Sequence, residues 1–210
     1  MSFHKIVRGI ILGHKGAGKT SLVSHILRQD FSYRPFGRTV RINADEFHFN
    51  DKKAEFEISD PLGGETFNFV HHNMYRGSQV IFIVTVMATN PEDRNDICKY
   101  DNELEYYIEH TQNNLPEGEY EFVFIINKCD LGDESEFYDR SEDVRRRIQK
   151  HIPDFNDTIY LTSAYTGENY LSPFKAGFEK GYHIIENSPE SKTPSIDVNN
   201  NNENEKKGCF

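Results

Sequence analysis

Eight residues near the start of the chain, Gly13–Thr20 "GHKGAGKT", have the types and spacing to grip phosphate. They satisfy the pattern G-x-x-x-x-G-K-[ST], in which backbone N–H groups and a following helix N-terminus cradle an anion. Gly13 and Gly18 permit the turn, Lys19 reaches the β- and γ-phosphates, and Thr20 offers a hydroxyl to Mg²⁺. A second stretch, Asn127–Asp130 "NKCD", has the means to select a base. The Asp130 carboxylate can accept from N1–H and the 2-amino group of guanine. Adenine lacks both donors and would leave the acceptor unpaired, which can reject a ligand by as much as ~10⁴-fold. The stem of Lys128 can lie over the purine ring, and Asn127 can tie this loop to the phosphate loop. "TSA" at Thr162–Ala164 can supply backbone N–H groups to guanine O6. Each motif alone also fits an ordinary polar turn; together they describe a guanine-nucleotide site.

Such a site needs elements that bring distant loops to one place. Ile6–Leu12 reads as a buried strand, and Thr20–Arg28 carries Leu22, Val23, Ile26 and Leu27 at helical spacing. The glycine loop therefore lies between a strand and a helix. Val40–Phe49 and Ala54–Ser59 read as two strands joined by "NDKK" at residues 50–53, an antiparallel hairpin. Further strands are predicted at Val80–Ala88, Phe122–Ile126 and Thr158–Leu161. Helices are predicted at Tyr100–Asn113, with Leu104, Tyr107, Ile108 and Thr111 on one face, at Glu142–His151, with Arg145–Arg147 facing outward, and at Pro173–Ile185. Strands alternating with helices imply a mostly parallel sheet covered on both faces. Ligands of such sheets bind beyond the carboxyl ends of the strands, and each polar motif follows a strand.

With 210 residues, one domain plus a tail is expected. The formal charge of −10 excludes a general nucleic-acid binder, which would need a basic face. Three cysteines without metal-ligand spacing fit a reducing compartment. No secretory signal opens the sequence, and no apolar run approaches the ~20 residues that span a bilayer. From Asn187 onward the chain is polar and Asn-rich, and disorder is expected for 187–210, with the domain occupying 1–186.

These motifs together resemble a small GTPase of the Ras superfamily, and the chain looks most like a Rab over Lys5–Ile185. "GHKGAGKT", Thr39, "DPLGG" at Asp60–Gly64, "NKCD" and "TSA" supply candidates for all five guanine-nucleotide motifs. "YRG" at Tyr75–Gly77 is placed as in Rabs. The resemblance implies an α/β fold: a P-loop NTPase G domain with a mostly parallel six-stranded sheet, one antiparallel edge strand and helices on both faces. It also implies GDP and GTP as ligands and Mg²⁺ as cofactor. By position, Gly13, Lys15, Gly16, Ala17, Gly18, Lys19, Thr20 and Ser21 surround the phosphates. Thr20 binds Mg²⁺ directly and Asp60 through water. Thr39 closes on the metal and the γ-phosphate, Gly63 donates its N–H to that phosphate, and Phe31 packs on the guanine edge. Asn127, Lys128, Asp130, Ser163 and Ala164 read the base, and Tyr165 covers it. Arg38–Arg41 and Asp60–Arg76 correspond to the two switch loops, which order around the γ-phosphate.

Departures from the family pattern are concentrated in the switches. The Gln that orients the attacking water is Gly64, which has no side chain to do so. The phosphate-loop position facing that Gln is normally small and here is Lys15. Intrinsic hydrolysis is therefore expected to be slower than the family's slow rate. Two other roles for Lys15 stay open: lying across the phosphates as an arginine finger does, worth ~10³–10⁵ in rate, or pointing into solvent. A lysine lacks the planar fork of arginine and leaves the water unplaced. Ser59 stands where Rabs have Trp, Met74 where they have an aromatic, and Arg41 where they have Gly. Tyr165 replaces a common Lys, and Lys19 to Thr39 is one residue longer than usual.

The chain ends in "KKGCF". Cys209 fits neither C-a-a-X nor the paired-cysteine Rab endings. It is a lipidation candidate by family analogy, against an unmodified polar terminus. The expected function is a Rab-type guanine-nucleotide switch in membrane traffic, a slow GTP hydrolase, cytoplasmic or at the cytosolic face of endomembranes. Expected partners are effector, exchange-factor and GTPase-activating proteins at the switches and a membrane surface if Cys209 is lipidated; no nucleic acid is expected, and a monomer is. The alternative is a hydrolysis-deficient, GTP-bound interaction module. A nucleotide kinase is disfavoured by "NKCD" and the lack of a substrate lid.

Overall fold

A computed structural model describes residues 5–26, 38–43, 54–61, 75, 77–87 and 97–188. The elements are β1 (Lys5–Leu12), α1 (Lys19–Ile26), β2 (Arg38–Asn43), β3 (Ala54–Asp60), β4 (Val80–Val86), α2 (Ile97–Asn114), β5 (Glu121–Asn127), α3 (Glu134–Gln149), β6 (Ile159–Leu161) and α4 (Ser172–Asn187). They form a six-stranded sheet in the order β2-β3-β1-β4-β5-β6. Among the described strands only β2 runs antiparallel, pairing Arg38 with Asp60 through Asn43 with Glu55. The other pairings are parallel.

The sheet's centre follows from composition. All seven residues of β4 are buried, as expected for a strand covered on both faces. Successive side chains alternate between the faces, so β1 feeds two cores. Val7 and Ile11 join Leu22, Val23, Phe56, Phe82, Phe174 and Phe178 beneath α1 and α4. Ile10 and Leu12 join Ile81, Ile83, Leu104, Tyr107, Ile108 and Val144 beneath α2 and α3. Tyr75 of "YRG" is fully buried in this second core, its ring 5.2 Å from that of His110.

Three sequence expectations need correction. The helix expected at Glu142–His151 begins eight residues earlier, at Glu134, and ends at Gln149. Its start is set by a capping box: Asp133 accepts from the N–H groups of Ser135 and Glu136, and Glu136 accepts from the Asp133 N–H. That arrangement satisfies helix-end donors that apolar periodicity cannot report. The arginines of this helix do not all face outward. Arg146 is exposed, but Arg147 is half-buried and donates to Glu105 of α2 at 2.9 Å. The last strand is shorter than Thr158–Leu161, because the Thr158 N–H is taken by the Asp157 carboxylate. The "NDKK" turn and the end of the strand expected to reach Phe49 lie outside the described residues.

One buried ion pair ties the second layer to the sheet. Arg140 of α3 forks onto both carboxylate oxygens of Asp101 in α2, at 2.7 and 3.0 Å. Its Nε donates to the Val86 carbonyl at the end of β4, and Thr85 donates to Asp101. Desolvating two charges is costly unless their remaining hydrogen-bonding capacity is met, and here the strand end meets it.

Candidate functional site

The phosphate loop leaves β1 and turns at once. Gly13 has φ 140°, and a Cβ there would stand 2.2 Å from the Val84 carbonyl oxygen. Gly18 has φ 91°, and a Cβ there would stand 2.2 Å from Asn127 Nδ2. Both glycines of the motif are thus required by backbone conformation and by close approach. The loop delivers the chain into α1, whose first turn contains no acidic residue. N–H groups at a helix start favour negative charge.

Lys19 is buried, and its ammonium donates to the carbonyls of Gly13 and His14 at 2.6 and 2.9 Å. Burial lowers its pKa to about 8, against the opposing charges of Asp60 and Glu103, which raise it. Asp60 is buried at the end of β3, on the same edge of the sheet. Thr20 is exposed at the start of α1. A hydroxyl and a carboxylate are hard oxygen donors, suited to a Mg²⁺ that keeps waters and phosphate oxygens as its remaining ligands.

The base loop meets the phosphate loop through Asn127, which is almost fully buried. Its Nδ2 donates to the Ala17 carbonyl at 2.8 Å. Its Oδ1 accepts from the Thr162 hydroxyl at 3.1 Å and from the Ala164 N–H at 3.0 Å. One side chain at the tip of β5 therefore joins the ends of β1, β5 and β6. Lys128 adopts a left-handed conformation, φ 63°, at the reversal out of the strand. Asp130 accepts from the Ser163 hydroxyl. The Tyr165 and Thr166 N–H groups both donate to Ser163 Oγ. Of the three N–H groups of "TSA", that of Thr162 donates to the Ile126 carbonyl, that of Ser163 to the Glu168 carbonyl and that of Ala164 to Asn127 Oδ1. The N–H groups of residues 164–166 thus hold the loop itself.

These loops enclose an open cavity of ≈ 390 Å³ lined by Gly16, Gly18, Ser21, Asn127, Lys128, Asp130, Leu131, Ala164 and Tyr165. Leu131 and Tyr165 on its rim are among the few large apolar side chains exposed among the described residues. Lys15 is exposed on the phosphate loop. Thr39 lies in β2 opposite Ser59. Phe31, Gly63, Gly64 and Cys209 lie outside the described residues, so hydrolysis and lipidation rest on sequence.

Several residues of the site escape motif reading. His25 of α1 donates to the Ala164 carbonyl at 2.6 Å and stacks on Tyr170, bracing the last loop. Tyr100 and Glu103 of α2 reach the phosphate loop. Their spacing of three on one helix face is the signal the sequence holds, beside the apolar residues of that helix.

Comparison with known proteins agrees with this geometry. The Ras family model matches residues 8–181. The chain is 24% identical to the Ras-related protein Rab-11B of Dictyostelium discoideum over 196 residues, which is 93% of this chain and 81% of that one. It is 27% identical to the Ypt/Rab-type GTPase YPT7 of Saccharomyces cerevisiae over 172 residues, 81% of this chain and 78% of that one. It is 27% identical to the Ras-related protein Rab7 of Pisum sativum over 214 aligned positions, covering 97% of this chain and 96% of that one. With its phosphate and base loops knotted at Asn127 beyond the strand ends, the chain belongs to the Ras family and is a Rab-like small GTPase.

Proposed function

We propose that the protein is a Rab-type guanine-nucleotide switch that binds GDP and GTP with Mg²⁺, hydrolyses GTP slowly and acts in membrane traffic. The observation that carries this is Asn127, which couples phosphate loop and base loop across one cavity. Phosphates would lie on the Gly16–Ser21 backbone with Lys19 as counter-charge. Asp130, held at one oxygen by Ser163, has its other oxygen for the N1–H and 2-amino donors of guanine. Thr20, Asp60 and Thr39 would hold Mg²⁺, which when bound neutralises charge on the β- and γ-phosphates. Effectors, exchange factors and activating proteins would meet the switch loops. Association with a membrane surface would run through lipidated Cys209, since no described helix is long and apolar enough to cross a membrane.

The first test is which nucleotide copurifies with the protein. Guanine nucleotide supports the proposal, and adenine nucleotide rejects it. Single-turnover hydrolysis of loaded GTP then separates slow enzyme from inert module. Gly64 and Lys15 act on the same geometry, so Gly64→Gln with Lys15→Ser is expected to raise the rate at least ~10-fold, about 1.4 kcal/mol of barrier. No rise places the defect elsewhere. No phosphate release from the native protein, even with activating proteins, favours the GTP-bound interaction module.

A further inference from the structure

The phosphate loop is held from below by a helix that carries none of the nucleotide motifs. Tyr100 of α2 packs edge-on against His14, with ring centroids 4.6 Å apart. Its hydroxyl lies 3.3 Å from where a Cβ on Gly16 would stand, and the Lys128 ammonium lies 5.8 Å from its ring centre. One turn further, Glu103 is 5% exposed and accepts from His14 Nδ1 at 2.6 Å. His14 is therefore held twice: its ring by Glu103, and its carbonyl by the Lys19 ammonium.

The charges make this more than packing. A carboxylate this deeply buried is costly unless matched. It also stands on the side of the loop away from solvent, where its field would oppose a polyphosphate. His14 faces it from the loop as a hydrogen-bond donor and Lys19 faces it from α1 as a cation, and its charge reaches Lys19. The second oxygen, Oε2, makes no hydrogen bond among the described residues. Among the described residues, the contact to His14 thus carries the whole hydrogen-bonding satisfaction of this buried group. It also fixes the loop residue whose carbonyl aims Lys19.

We propose that Glu103 is a positioning residue of the nucleotide site: through His14 it sets the backbone of the phosphate loop and thereby how long the nucleotide is retained. The inference rests on the guanine-nucleotide function proposed above and extends it to α2, a helix outside both switches. Glu103 does not touch nucleotide, so its effect must pass through His14. That dependence separates it from a residue that only stabilises the fold.

The test is release of a fluorescent GDP analogue from the full chain in Mg²⁺ and excess GDP. Failure of the native protein to bind the analogue rejects the guanine-nucleotide function itself, whatever the variants do. Given binding, His14→Ala and Glu103→Leu are each expected to speed release about 10- to 100-fold, the worth of a hydrogen bond to a charged group. The double variant is expected to release no faster than about threefold beyond His14→Ala, because the two residues act as one unit. Glu103→Gln keeps an acceptor oxygen and the volume, and is expected to recover most of the lost retention. Multiplicative effects of the two substitutions overturn the proposal. So does Glu103→Gln behaving like Glu103→Leu. His14 is partly exposed on a loop, so His14→Ala stays informative if Glu103→Leu fails to fold; native-like release from it overturns the proposal alone.

Discussion

At the scale of the residue, Lys19 carries the sharpest consequence. Its ammonium is buried and its pKa is lowered to about 8, with burial the largest cause. Phosphate oxygens beside it would favour the charged form, so the pKa rises when nucleotide binds. The sign follows from linkage. Below about pH 8 the free protein already holds this proton, and affinity does not depend on it. Above pH 8 the proton must be taken up on binding, so affinity falls, by up to about tenfold per pH unit. GDP affinity measured by calorimetry is expected to weaken between pH 7.5 and 9.5 and to be flat below. An affinity constant to pH 9.5 would show that Lys19 does not face the phosphates. The same lowering means that the ligand-free fold holds this charge at a cost, relieved as pH rises from 8 toward the unfolded value of 10.5.

At the scale of the element, α4 shows how two glycines set a packing distance. A Cβ on Gly177 would stand 2.4 Å from Phe82 Cζ, and one on Gly181 would stand 2.4 Å from Val7 Cγ1. Four residues apart, they form one face on which the helix lies close against β1 and β4. Alanine would gain up to about 1 kcal/mol of helix propensity. Overpacking costs about 1–3 kcal/mol, and the Phe82 ring cannot yield, because Phe56 and Phe174 flank it in the core. Gly177→Ala is therefore expected to destabilise by up to about 2 kcal/mol net in urea unfolding; a gain in stability would show that the helix shifts freely. This contact marks where sequence stops being informative. The order of strands and helices, the hairpin at β2 and β3, and the convergence of the motifs on one sheet edge were legible, because apolar period and glycine spacing record local geometry. The early start of α3 was not, since Asp133 and Glu136 fix it by polar capping in a segment of low apolar content. Glu103 was not, since its partner lies 89 positions away. The engagement of the Ala164 N–H by Asn127 is likewise a tertiary fact.

At the scale of the whole molecule, the site is assembled from the ends of four strands and two helices, so ligand and fold stabilise each other. Asn127 binds three loops together, and Arg140 anchors α2 and α3 to the end of β4. The unfolded chain has no such assembled cavity, so nucleotide binds the native state almost alone. At a hundredfold excess over Kd, that selectivity adds about 2.7 kcal/mol. For a domain of this size each kcal/mol moves Tm by about 2–4 °C, so saturating GDP with Mg²⁺ is expected to raise Tm by about 5–11 °C. ADP presents the same phosphates to Lys19 but neither guanine donor to Asp130. It is expected to raise Tm by only about 1–5 °C at equal concentration, since losing a charged hydrogen-bond partner costs about 1.5–3 kcal/mol. Asp130→Asn is expected to erase most of the difference between the two nucleotides. Equal shifts from GDP and ADP in the native protein would place the base outside the cavity between Lys128 and Tyr165, and leave the phosphate loop as the sole determinant of binding.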